Sequence, residues 1–262
     1  MTGNALAGRH ALITGAGTGI GAAIARAFAG AGARISLAGR RCAPLEAVAA
    51  ELPTGAAFVL DGFDVTDAAA VTRGAEKARA VFGVVSILVN NAGEAPSASF
   101  ERTDLALWSH VLAVDLTGPY QVTREFLPEL KRHGAGARIL NIASTAGLTG
   151  YPYVSAYCAA KHGLVGLTRA LAAELARTGI TANAICPGFT ETTLIERAVA
   201  TITAKTGRDG EAVRADFAKT NPQGRLVTPE EVAEAALWLA SPGAGSMNGQ
   251  AIAIAGGEVM AG

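Results

Sequence analysis

The chain has few cysteines and few histidines, and neither set is spaced for a bound metal. Its three cysteines, Cys42, Cys158 and Cys186, are odd in number and far apart, which argues against a disulfide framework and a zinc-binding pattern. No partner at metal-ligand spacing accompanies any of the four histidines, which are His10, His110, His133 and His162. We therefore expect no metal site and a reducing compartment.

An excess of charge is missing as well. Lysine and arginine total 22, aspartate and glutamate total 22, and no basic run is long enough to follow a phosphate backbone. This balance gives nucleic-acid binding no support. The N-terminal segment does not resemble a signal peptide, and no apolar run is long enough to span a bilayer. We expect a cytoplasmic protein with neither a nucleic-acid nor a membrane partner.

Apolar residues and glycine are abundant. Half of the residues are apolar, only 17% are charged and 32 are glycine. Such a composition can bury a large core, and no linker, repeat or low-complexity run divides the sequence. We predict a single domain over residues 1–262.

Short apolar segments alternate with helical ones along the chain. Strands are predicted at 10–14, 34–39, 57–60, 85–93, 137–144, 179–186 and 249–257. Helices are predicted at 20–31, 43–52, 67–82, 104–131 with a kink near Gly118 and Pro119, and 156–177, with one or two more in 188–225. Short apolar strands joined by helical crossovers predict an α/β fold, a doubly wound Rossmann-type domain whose seven-stranded parallel sheet has helices on both faces.

Three polar side chains lie at or after the end of the fifth predicted strand. Tyr157 and Lys161 are four residues apart in a helical segment, which puts both on one face, one turn apart. A phenol has a pKa of about 10, and a neighbouring ammonium favours the phenolate. With Ser144, they would place a hydroxyl, a phenol and an ammonium around a substrate carbonyl and its proton. Taken alone, such a spacing is usually an accidental pair on a helix surface.

A glycine-rich turn separates the first strand from the first helix. It reads "TGAGTGIG" and has the spacing G-x-x-x-G-x-G, with glycine at 15, 17, 19 and 21. Small residues let the backbone approach a pyrophosphate, and a helix N-terminus offers amide donors and a positive dipole end. In this place, followed by a second strand, the turn predicts dinucleotide binding.

These motifs, in this order, resemble the short-chain dehydrogenase/reductase family over essentially the whole chain. The similarity includes the glycine turn, "NNAG" at 90–93, the Ser144, Tyr157 and Lys161 set, "PGFTET" and Gly256-Gly257. The segment 188–225 is similar to loops of hydroxybutyrate dehydrogenases, whereas "ELARTGITANAICPGFTET" is similar to polyketide and 3-oxoacyl-thioester ketoreductases. The resemblance implies an oxidoreductase that uses NAD(P) to interconvert a ketone and a secondary alcohol, and it also implies a homotetramer.

The resemblance implies a set of cofactor contacts. These fall on Gly15, Gly17, Thr18, Gly19, Ile20, Gly21, Arg40, Arg41, Asp64, Val65, Asn91, Ala92, Gly93, Tyr157, Lys161, Pro187, Gly188, Thr190 and Thr192. Asp64 would contact the adenine, although it could instead cap the helix that follows.

The end of the second strand bears on the choice of cofactor. An acidic residue there would bind the ribose hydroxyls of NAD, but this chain has Gly39 followed by Arg40 and Arg41. A guanidinium can grip a 2′-phosphate in two-pronged fashion, which favours NADP over NAD. The alternative is that both arginines are ordinary surface charges, and Thr18 lacks the basic side chain often found there in NADP-preferring relatives.

The resemblance also assigns catalytic roles. Ser144 would hold the substrate oxygen, Tyr157 would exchange a proton with it, and Lys161 would lower the tyrosine pKa and bind the nicotinamide ribose. The family usually has asparagine at the position of Asp115, where it orients a water molecule beside the lysine. A carboxylate there would partly neutralise Lys161, raise the tyrosine pKa and shift the activity optimum upward. Alternatively, Asp115 bends the helix and faces solvent.

The substrate is the least determined part. The resemblance places the pocket at Glu94, Thr145, Tyr151, Phe189 and Leu194, with 188–225 as a covering segment. Glu94 would repel a free carboxylate, which favours a neutral ketone or a 3-oxoacyl thioester as substrate. An NAD-dependent hydroxy acid dehydrogenase and a nicotinamide-binding regulatory protein without turnover are the alternatives.

Overall fold

Seven parallel strands form one sheet in the computed structural model, which describes residues 4–260. The strands are β1 (His10–Thr14), β2 (Arg34–Ala38), β3 (Ala57–Leu60), β4 (Ile87–Asn90), β5 (Arg138–Ile142), β6 (Thr181–Pro187) and β7 (Ala251–Ile254). Their order across the sheet is β3-β2-β1-β4-β5-β6-β7. The predicted doubly wound α/β class is therefore confirmed, with a change of winding direction between β1 and β4.

Nine α-helices surround the sheet within the described residues. They are α1 (Gly19–Gly30), α2 (Cys42–Glu51), α3 (Ala68–Phe82), α4 (Leu105–Leu112), α5 (Gly118–His133), α6 (Ser155–Leu175), α7 (Thr193–Thr206), α8 (Gly210–Lys219) and α9 (Pro229–Ala240). The segment predicted to hold one or two helices after β6 holds two, α7 and α8. None of the helices described is both long and apolar enough to cross a membrane.

The sheet is buried on both faces. All five residues of β1, "HALIT", are buried, as expected for a central parallel strand covered by helices on either side. Helices α1, α2 and α9 bury their apolar residues against one face, and α3, α5 and α6 bury theirs against the other. Burial of both faces fixes the strand ends, where the site is built.

The helical stretch predicted at 104–131 is interrupted. Helix α4 ends at Leu112, and residues Ala113–Thr117 form one π-helical turn before α5 begins at Gly118. A side chain at Gly118 would collide with Val65, because an added Cβ would lie 2.7 Å from Val65 Cγ2. Single π turns insert one extra residue into a helix and often occur at functional sites. Here the turn contains Asp115.

Helix α9 is absent from the element prediction above. Its start is nonetheless well marked, because the Thr228 hydroxyl accepts from the Glu231 amide while the Glu231 carboxylate accepts from the Thr228 amide. This reciprocal capping box, followed by Pro229 at the first helical position, is a recognisable helix start in the sequence "TPEE". The helix packs on α1 within the same apolar cluster.

Two asparagines at the ends of neighbouring strands tie the sheet to its helices. Asn90 of β4 lies opposite Asn141 of β5, and its Nδ2 donates to Asn141 Oδ1 at 2.8 Å and to Thr123 Oγ1 of α5 at 2.9 Å. Asn141 Nδ2 donates in turn to Thr168 Oγ1 of α6 at 2.8 Å. Buried amides joined in this way fix the strand ends relative to α5 and α6.

Candidate active site

The polar residues singled out in the sequence meet at the carboxyl edge of the sheet. The glycine turn follows β1, the Asn91 turn follows β4, Ser144 follows β5, and Gly188 follows β6. Ligands of doubly wound sheets bind at this edge, where the direction of winding changes. The topology therefore brings together residues that lie more than 150 positions apart in sequence.

The glycines of the first turn are required by close packing. Gly15 and Gly19 have φ values of +64° and +53°, and a Cβ on Gly21 would lie 2.4 Å from the Gly15 carbonyl oxygen. The residue before α1, Thr18, makes no capping hydrogen bond with its side chain. The first amides of α1 thus remain available, and the turn has the open backbone that a pyrophosphate needs.

Asn91 holds the glycine turn to the end of β4. Its Nδ2 donates to the Thr14 carbonyl oxygen at 2.9 Å and to the Gly15 carbonyl oxygen at 3.2 Å. In the opposite direction, Thr14 Oγ1 accepts from the backbone amides of Asn91 and Ala92 at 2.9 and 3.0 Å. These four hydrogen bonds fix the distance between the two turns on either side of the switch point.

A cleft with a volume of about 160 Å³ runs from the glycine turn toward the end of β2. Its wall includes Gly17 and Thr18, Arg40 and Arg41, Asp64 and Val65, and Ala92 to Glu94. Arg40 and Arg41 are exposed, and neither forms an ion pair with any part of the chain between residues 4 and 260. The cleft therefore ends beside two exposed guanidinium groups that form no close ion pair within the described residues.

Asp64 does not cap the helix that follows it. Asp67 does so, because its carboxylate accepts from the amides of Ala69 and Ala70. Asp64 instead accepts from the Thr66 amide at 2.9 Å and the Thr66 hydroxyl at 2.8 Å. Burial acts to raise the pKa of Asp64, but these two hydrogen bonds and the nearby Arg40 outweigh it and lower the pKa. Asp64 is thus held as a carboxylate in the cleft wall.

Ser144, Tyr157 and Lys161 converge as the sequence predicts. Tyr157 and Lys161 lie one turn apart on α6, with Lys161 Nζ 5.4 Å from the centre of the Tyr157 ring. Lys161 Nζ also donates to the Ile142 carbonyl oxygen at 3.0 Å, which anchors the ammonium at the end of β5. Ser144 directly follows that strand region, and its hydroxyl accepts from the Ala146 amide at 3.1 Å.

The pKa of Tyr157 lies above its ordinary value. Burial raises it most, and the charge of Asp115 raises it further, whereas Lys161 and the Ser144 hydroxyl lower it. Lys161 thus lowers the pKa of Tyr157 as expected, but burial and Asp115 together raise this pKa by more. The pKa of Lys161 is also raised, because Asp115 and Tyr157 outweigh the opposing effect of burial. At neutral pH the pair is a phenol beside an ammonium.

Asp115 is completely buried and does not face solvent, so the alternative of a solvent-exposed helix bend is wrong. Its Oδ1 lies 3.1 Å from Lys161 Nζ without the alignment of a hydrogen bond, and its Oδ2 accepts from the Glu94 amide at 3.4 Å. Gly93 makes room for it, since a Cβ there would lie 2.6 Å from Asp115 Oδ1. Burial raises the pKa of Asp115, while Lys161 opposes this.

The residues after β6 connect the glycine turn to the substrate side. Thr190 Oγ1 donates to the Gly188 carbonyl oxygen at 2.9 Å, and Thr192 Oγ1 donates to the Thr190 carbonyl oxygen at 3.3 Å. The methyl group of Thr192 packs on the glycine turn, since an added Cβ on Gly19 would lie 3.0 Å from it. Pro187 is the last residue of β6 and is buried.

The predicted pocket residues form two groups. Tyr151 packs edge-on against Phe189, with ring centres 5.9 Å apart, and Phe189 packs against Phe217 at 4.9 Å. The Tyr151 hydroxyl lies 2.9 Å from Thr145 Oγ1 and donates to the Glu258 carboxylate. Burial, followed by Glu258, raises the pKa of Tyr151 well above its usual range. On the other side, Glu94 pairs with His110 of α4, and Leu194 is exposed at the start of α7.

Three residues of this region were not among the predicted site residues: Glu258, Phe217 and His110. Glu258 lies 107 positions from Tyr151, and nothing in the local sequence around either residue indicates that they meet. Phe217 lies in the predicted covering segment, where a single aromatic residue in a charged stretch gives a faint signal. His110 occupies one turn before the π-helical segment, and its pairing with Glu94 depends on the tertiary fold.

Comparison with known proteins agrees with this arrangement. A family model described as short chain dehydrogenase matches residues 9–203. The chain belongs to the short chain dehydrogenase family. Short chain dehydrogenases use NAD(P) to interconvert secondary alcohols and ketones, so the chain is an oxidoreductase of this class. The resemblance drawn from the sequence motifs is confirmed.

Individual short chain dehydrogenases similar to this chain act on different compounds. It is 39% identical to a D-beta-hydroxybutyrate dehydrogenase of Cupriavidus necator over 256 residues, which are 97% of this chain and 99% of that protein. It is 41% identical to a galactitol 2-dehydrogenase (L-tagatose-forming) of Cereibacter sphaeroides over 254 residues, 96% of this chain and 95% of that protein. A solved structure of an actinorhodin polyketide ketoreductase variant with NADPH superposes with a TM-score of 0.88, at 35% identity, covering 95% of this chain and 97% of that one.

Proposed function

We propose that this protein is an NADP(H)-dependent ketoreductase whose substrate is a neutral ketone, most suitably a 3-oxoacyl thioester. The observation that carries the proposal is the charge around the substrate region. Glu94 and Glu258 are the charged side chains beside the predicted pocket residues, and Lys161 is already paired with Asp115. A free carboxylate would face Glu258 and the Glu94–His110 pair, while the ammonium of Lys161 is already engaged by Asp115, so its binding would be less favourable. A neutral ester or thioester avoids that repulsion.

The proton chemistry is assigned to the residues at the end of β5. A bound nicotinamide would supply or accept the hydride. Ser144 would donate a hydrogen bond to the substrate oxygen and hold the carbonyl in place. Tyr157, protonated at neutral pH because its pKa is raised, would give its proton to that oxygen as the alkoxide develops. Lys161, held by Ile142 and Asp115, would stabilise the phenolate that remains.

Asp115 is proposed as a positioning residue for Lys161. It lies within 3.1 Å of the ammonium, and its Oδ1 is buried without a hydrogen-bond partner. A water molecule beside the lysine could donate to that oxygen, which is the relay role that the family resemblance assigns to this position. Because the carboxylate also raises the Tyr157 pKa, Asp115 favours the protonated phenol, which is the form that can give a proton to the ketone oxygen.

The dinucleotide would lie along the cleft from the glycine turn to the end of β2. Its pyrophosphate would bind at the N-terminus of α1, on the backbone of Gly15 to Gly21. Asp64 and Val65 would contact the adenine, and Arg40 and Arg41 would bind a 2′-phosphate, because both are exposed and neither forms an ion pair within the described residues. These two free guanidinium groups support NADP over NAD.

The nicotinamide end would be enclosed by three segments. Asn91, Ala92 and Gly93 would form one wall, Tyr157 and Lys161 a second, and Pro187 to Thr192 a third, with Thr190 and Thr192 close to the carboxamide. Thr145, Tyr151, Phe189 and Leu194 would line the substrate side together with Glu94. Residues 188–225, which contain α7 and α8, would cover the substrate within this single domain.

A cytoplasmic homotetramer is part of the same proposal. Large apolar side chains are exposed on α4, α5 and α9, namely Leu105, Tyr120 and Trp238. Exposed apolar groups on several helices support association with further copies of the chain. Light scattering at several protein concentrations would give the number of subunits.

The decisive experiment measures turnover and cofactor binding separately. Fluorescence of bound NADPH gives the dissociation constant, and absorbance at the nicotinamide band follows reduction of ethyl acetoacetate, of 3-oxoacyl thioesters and of free acetoacetate. We expect NADPH to bind more tightly than NADH and the neutral substrates to react faster than acetoacetate. Binding without reduction of any ketone would leave a cofactor-binding protein that does not turn over.

Tyr157→Phe tests the proton donor within the same assays. Loss of the hydroxyl should reduce turnover by about 10²- to 10⁴-fold, the usual contribution of a positioned acid or base. Affinity for NADPH should stay within a few-fold of that of the unaltered protein. Comparable turnover in Tyr157→Phe would show that another group transfers the proton.

The alternative of an NAD-dependent hydroxy acid dehydrogenase has one observation in its favour, the 39% identity to the D-beta-hydroxybutyrate dehydrogenase. It predicts the opposite ranking in both assays, with NADH preferred over NADPH and acetoacetate preferred over its ethyl ester.

A further inference from the structure

Tyr153 holds a backbone conformation that tyrosine rarely adopts. Its φ is +67°, and among residues 4–260 no other residue except glycine has a positive φ. The left-handed region brings Cβ close to a carbonyl oxygen, so glycine and asparagine are favoured there. Such strain persists only where the surrounding structure maintains it, and it is concentrated at functional sites.

Tyr153 lies between two parts of the proposed substrate region. It follows Tyr151 of the pocket wall by two residues and precedes Tyr157 by four. Its carbonyl oxygen accepts from the Ala98 amide at 2.9 Å, which joins the segment before α6 to the segment that begins at Asn91 and contains Glu94. The strained residue therefore stands where two segments at the carboxyl edge of the sheet meet.

The ring of Tyr153 makes no evident contribution to the fold. The residue is 67% exposed and belongs to none of the apolar clusters described for residues 4–260. Phe100, two residues beyond Ala98, is 80% exposed. Glycine or asparagine at position 153 would allow the same turn with less strain, so the turn alone does not account for a tyrosine. Two large rings are thus exposed to solvent, one at the junction of the two segments and the other two residues beyond it.

We propose that Tyr153 and Phe100 form an aromatic rim at the mouth of the substrate site and bind the distal apolar part of the ketone substrate, an acyl chain or a ring. This inference rests on the proposed ketoreductase function and adds a preference for extended apolar substrates. Tyr153 is two residues from Tyr151, whose ring packs on Phe189 and through it on Phe217, and Glu94 and Glu258 make a charged tail unfavourable. Rigid aromatic groups provide contact area at little cost in conformational entropy.

The test uses a series of ethyl 3-oxoesters with progressively longer acyl chains, starting from ethyl acetoacetate. For the unaltered protein, kcat/KM should rise by about four-fold for each methylene group that the rim covers, the usual worth of a buried methylene. In Tyr153→Asn the decrease in kcat/KM relative to the unaltered protein should be smallest with ethyl acetoacetate and should grow with the length of the acyl chain. Phe100→Ala should show the same trend to a smaller extent.

Stability provides a second readout that separates binding from a structural role. Asparagine accepts the left-handed conformation more readily than tyrosine, so Tyr153→Asn should melt at the same temperature or up to about 2–4 °C higher. Tyr153→Phe keeps the ring and should retain the dependence on chain length. Val81→Asn makes an apolar-to-polar change at an exposed site at the far end of α3, on the opposite edge of the sheet, and should leave both readouts unchanged.

Three results would overturn the proposal. One is a kcat/KM that does not depend on chain length in the unaltered protein. A second is a uniform loss on all substrates in Tyr153→Asn together with a lower melting temperature, which would mean a structural role. A third is an effect confined to substrates attached to a carrier protein, which would make the rim a protein-docking surface. If the unaltered protein binds NADPH but reduces none of the esters, the proposed function itself fails.

Discussion

Lys161 and Asp115 form a buried ion pair, with Nζ and Oδ1 3.1 Å apart and the centre of the Tyr157 ring 5.4 Å from the same Nζ. The lysine thus interacts with two acidic groups at once. Its charge favours the Tyr157 phenolate, while the carboxylate acts against it and keeps the pKa of Tyr157 above the ordinary value. This competition connects a single residue of the π-helical turn to the pH dependence of the reaction.

Asp115→Asn should shift the pH profile of alcohol oxidation downward. In the proposed mechanism, oxidation requires the Tyr157 phenolate, and the raised pKa means that this form is scarce until the pH is high. Removing the carboxylate removes one of the causes that raise the pKa, so the rising limb of the profile should move to lower pH. The profile is measured as kcat/KM for the alcohol product with saturating NADP⁺.

Asp104→Asn is the matched control for this change. Asp104 caps α4 through the Leu107 amide and is remote from Lys161, and asparagine is also a good cap. Its profile should coincide with that of the unaltered protein. A rising limb that stays in place, or moves upward, in Asp115→Asn would disprove the proposed influence on Tyr157.

Arg40→Ala and Arg41→Ala should weaken NADPH binding selectively. A charge-assisted hydrogen bond is worth about 1.5–3 kcal/mol, so loss of the arginine that grips the 2′-phosphate should reduce NADPH affinity by about 10- to 100-fold. NADH affinity should change little, because NADH lacks that phosphate. Arg34→Ala, at the opposite end of β2, should affect neither cofactor. Equal losses for both cofactors would mean that these arginines do not select NADP.

Gly21→Ala should destabilise the protein, whereas Gly30→Ala in the same helix should not. A Cβ at Gly21 would lie 2.4 Å from the Gly15 carbonyl oxygen and 2.5 Å from Asn91 Nδ2, so the backbone of the cofactor turn must move. We expect a loss of about 1–3 kcal/mol in the free energy of unfolding, measured in urea, and weaker NADPH binding.

Gly30 provides the control because an added Cβ there would meet nothing within 4 Å. Alanine should be neutral at this position or stabilise by about 0.5–1 kcal/mol, the difference in helix propensity. A stable Gly21→Ala variant with normal NADPH affinity would show that the turn tolerates side chains and that its packing is looser than described.

Glu258→Gln should relax discrimination against free carboxylates. The change keeps the size of the side chain and a hydrogen-bond acceptor for Tyr151 but removes a negative charge beside the pocket wall. The ratio of kcat/KM for acetoacetate to that for ethyl acetoacetate should rise several-fold. Glu94→Gln is the parallel change on the other side, and an unaltered ratio in both variants would show that charge repulsion does not select the substrate.

The backbone plan could be predicted from the sequence because its signals are local. The apolar run His10–Thr14, the glycines after it and the Tyr157 to Lys161 spacing each lie within one or two elements. Parallel topology then places the ends of β1, β4, β5 and β6 along one edge, so the meeting of these motifs follows from the fold class alone.

The features of the site that could not be predicted depend on contacts between residues that are distant in sequence. The contact of Tyr151 with Glu258, the pairing of Glu94 with His110 and the full burial of Asp115 arise from tertiary packing. The π-helical turn is also invisible to periodicity, because one inserted residue changes the helical pattern over only a single turn. The direction in which the pKa of Tyr157 is shifted depends mainly on burial, and the sequence spacing of Tyr157 and Lys161 gives no information about burial.

The π-helical turn at Ala113–Thr117 has a geometric consequence for engineering this fold. Each residue of a helix advances its direction by about 100°, so deleting one residue there would restore a regular helix only by rotating everything on one side of the deletion. Either Asp115 would leave the ammonium, or Val122 and Phe126 of α5 would turn out of the core. The extra residue thus allows the helical segments on either side of the turn to be rotated independently. Asp115 can face the ammonium while Val122 and Phe126 face the core of the protein.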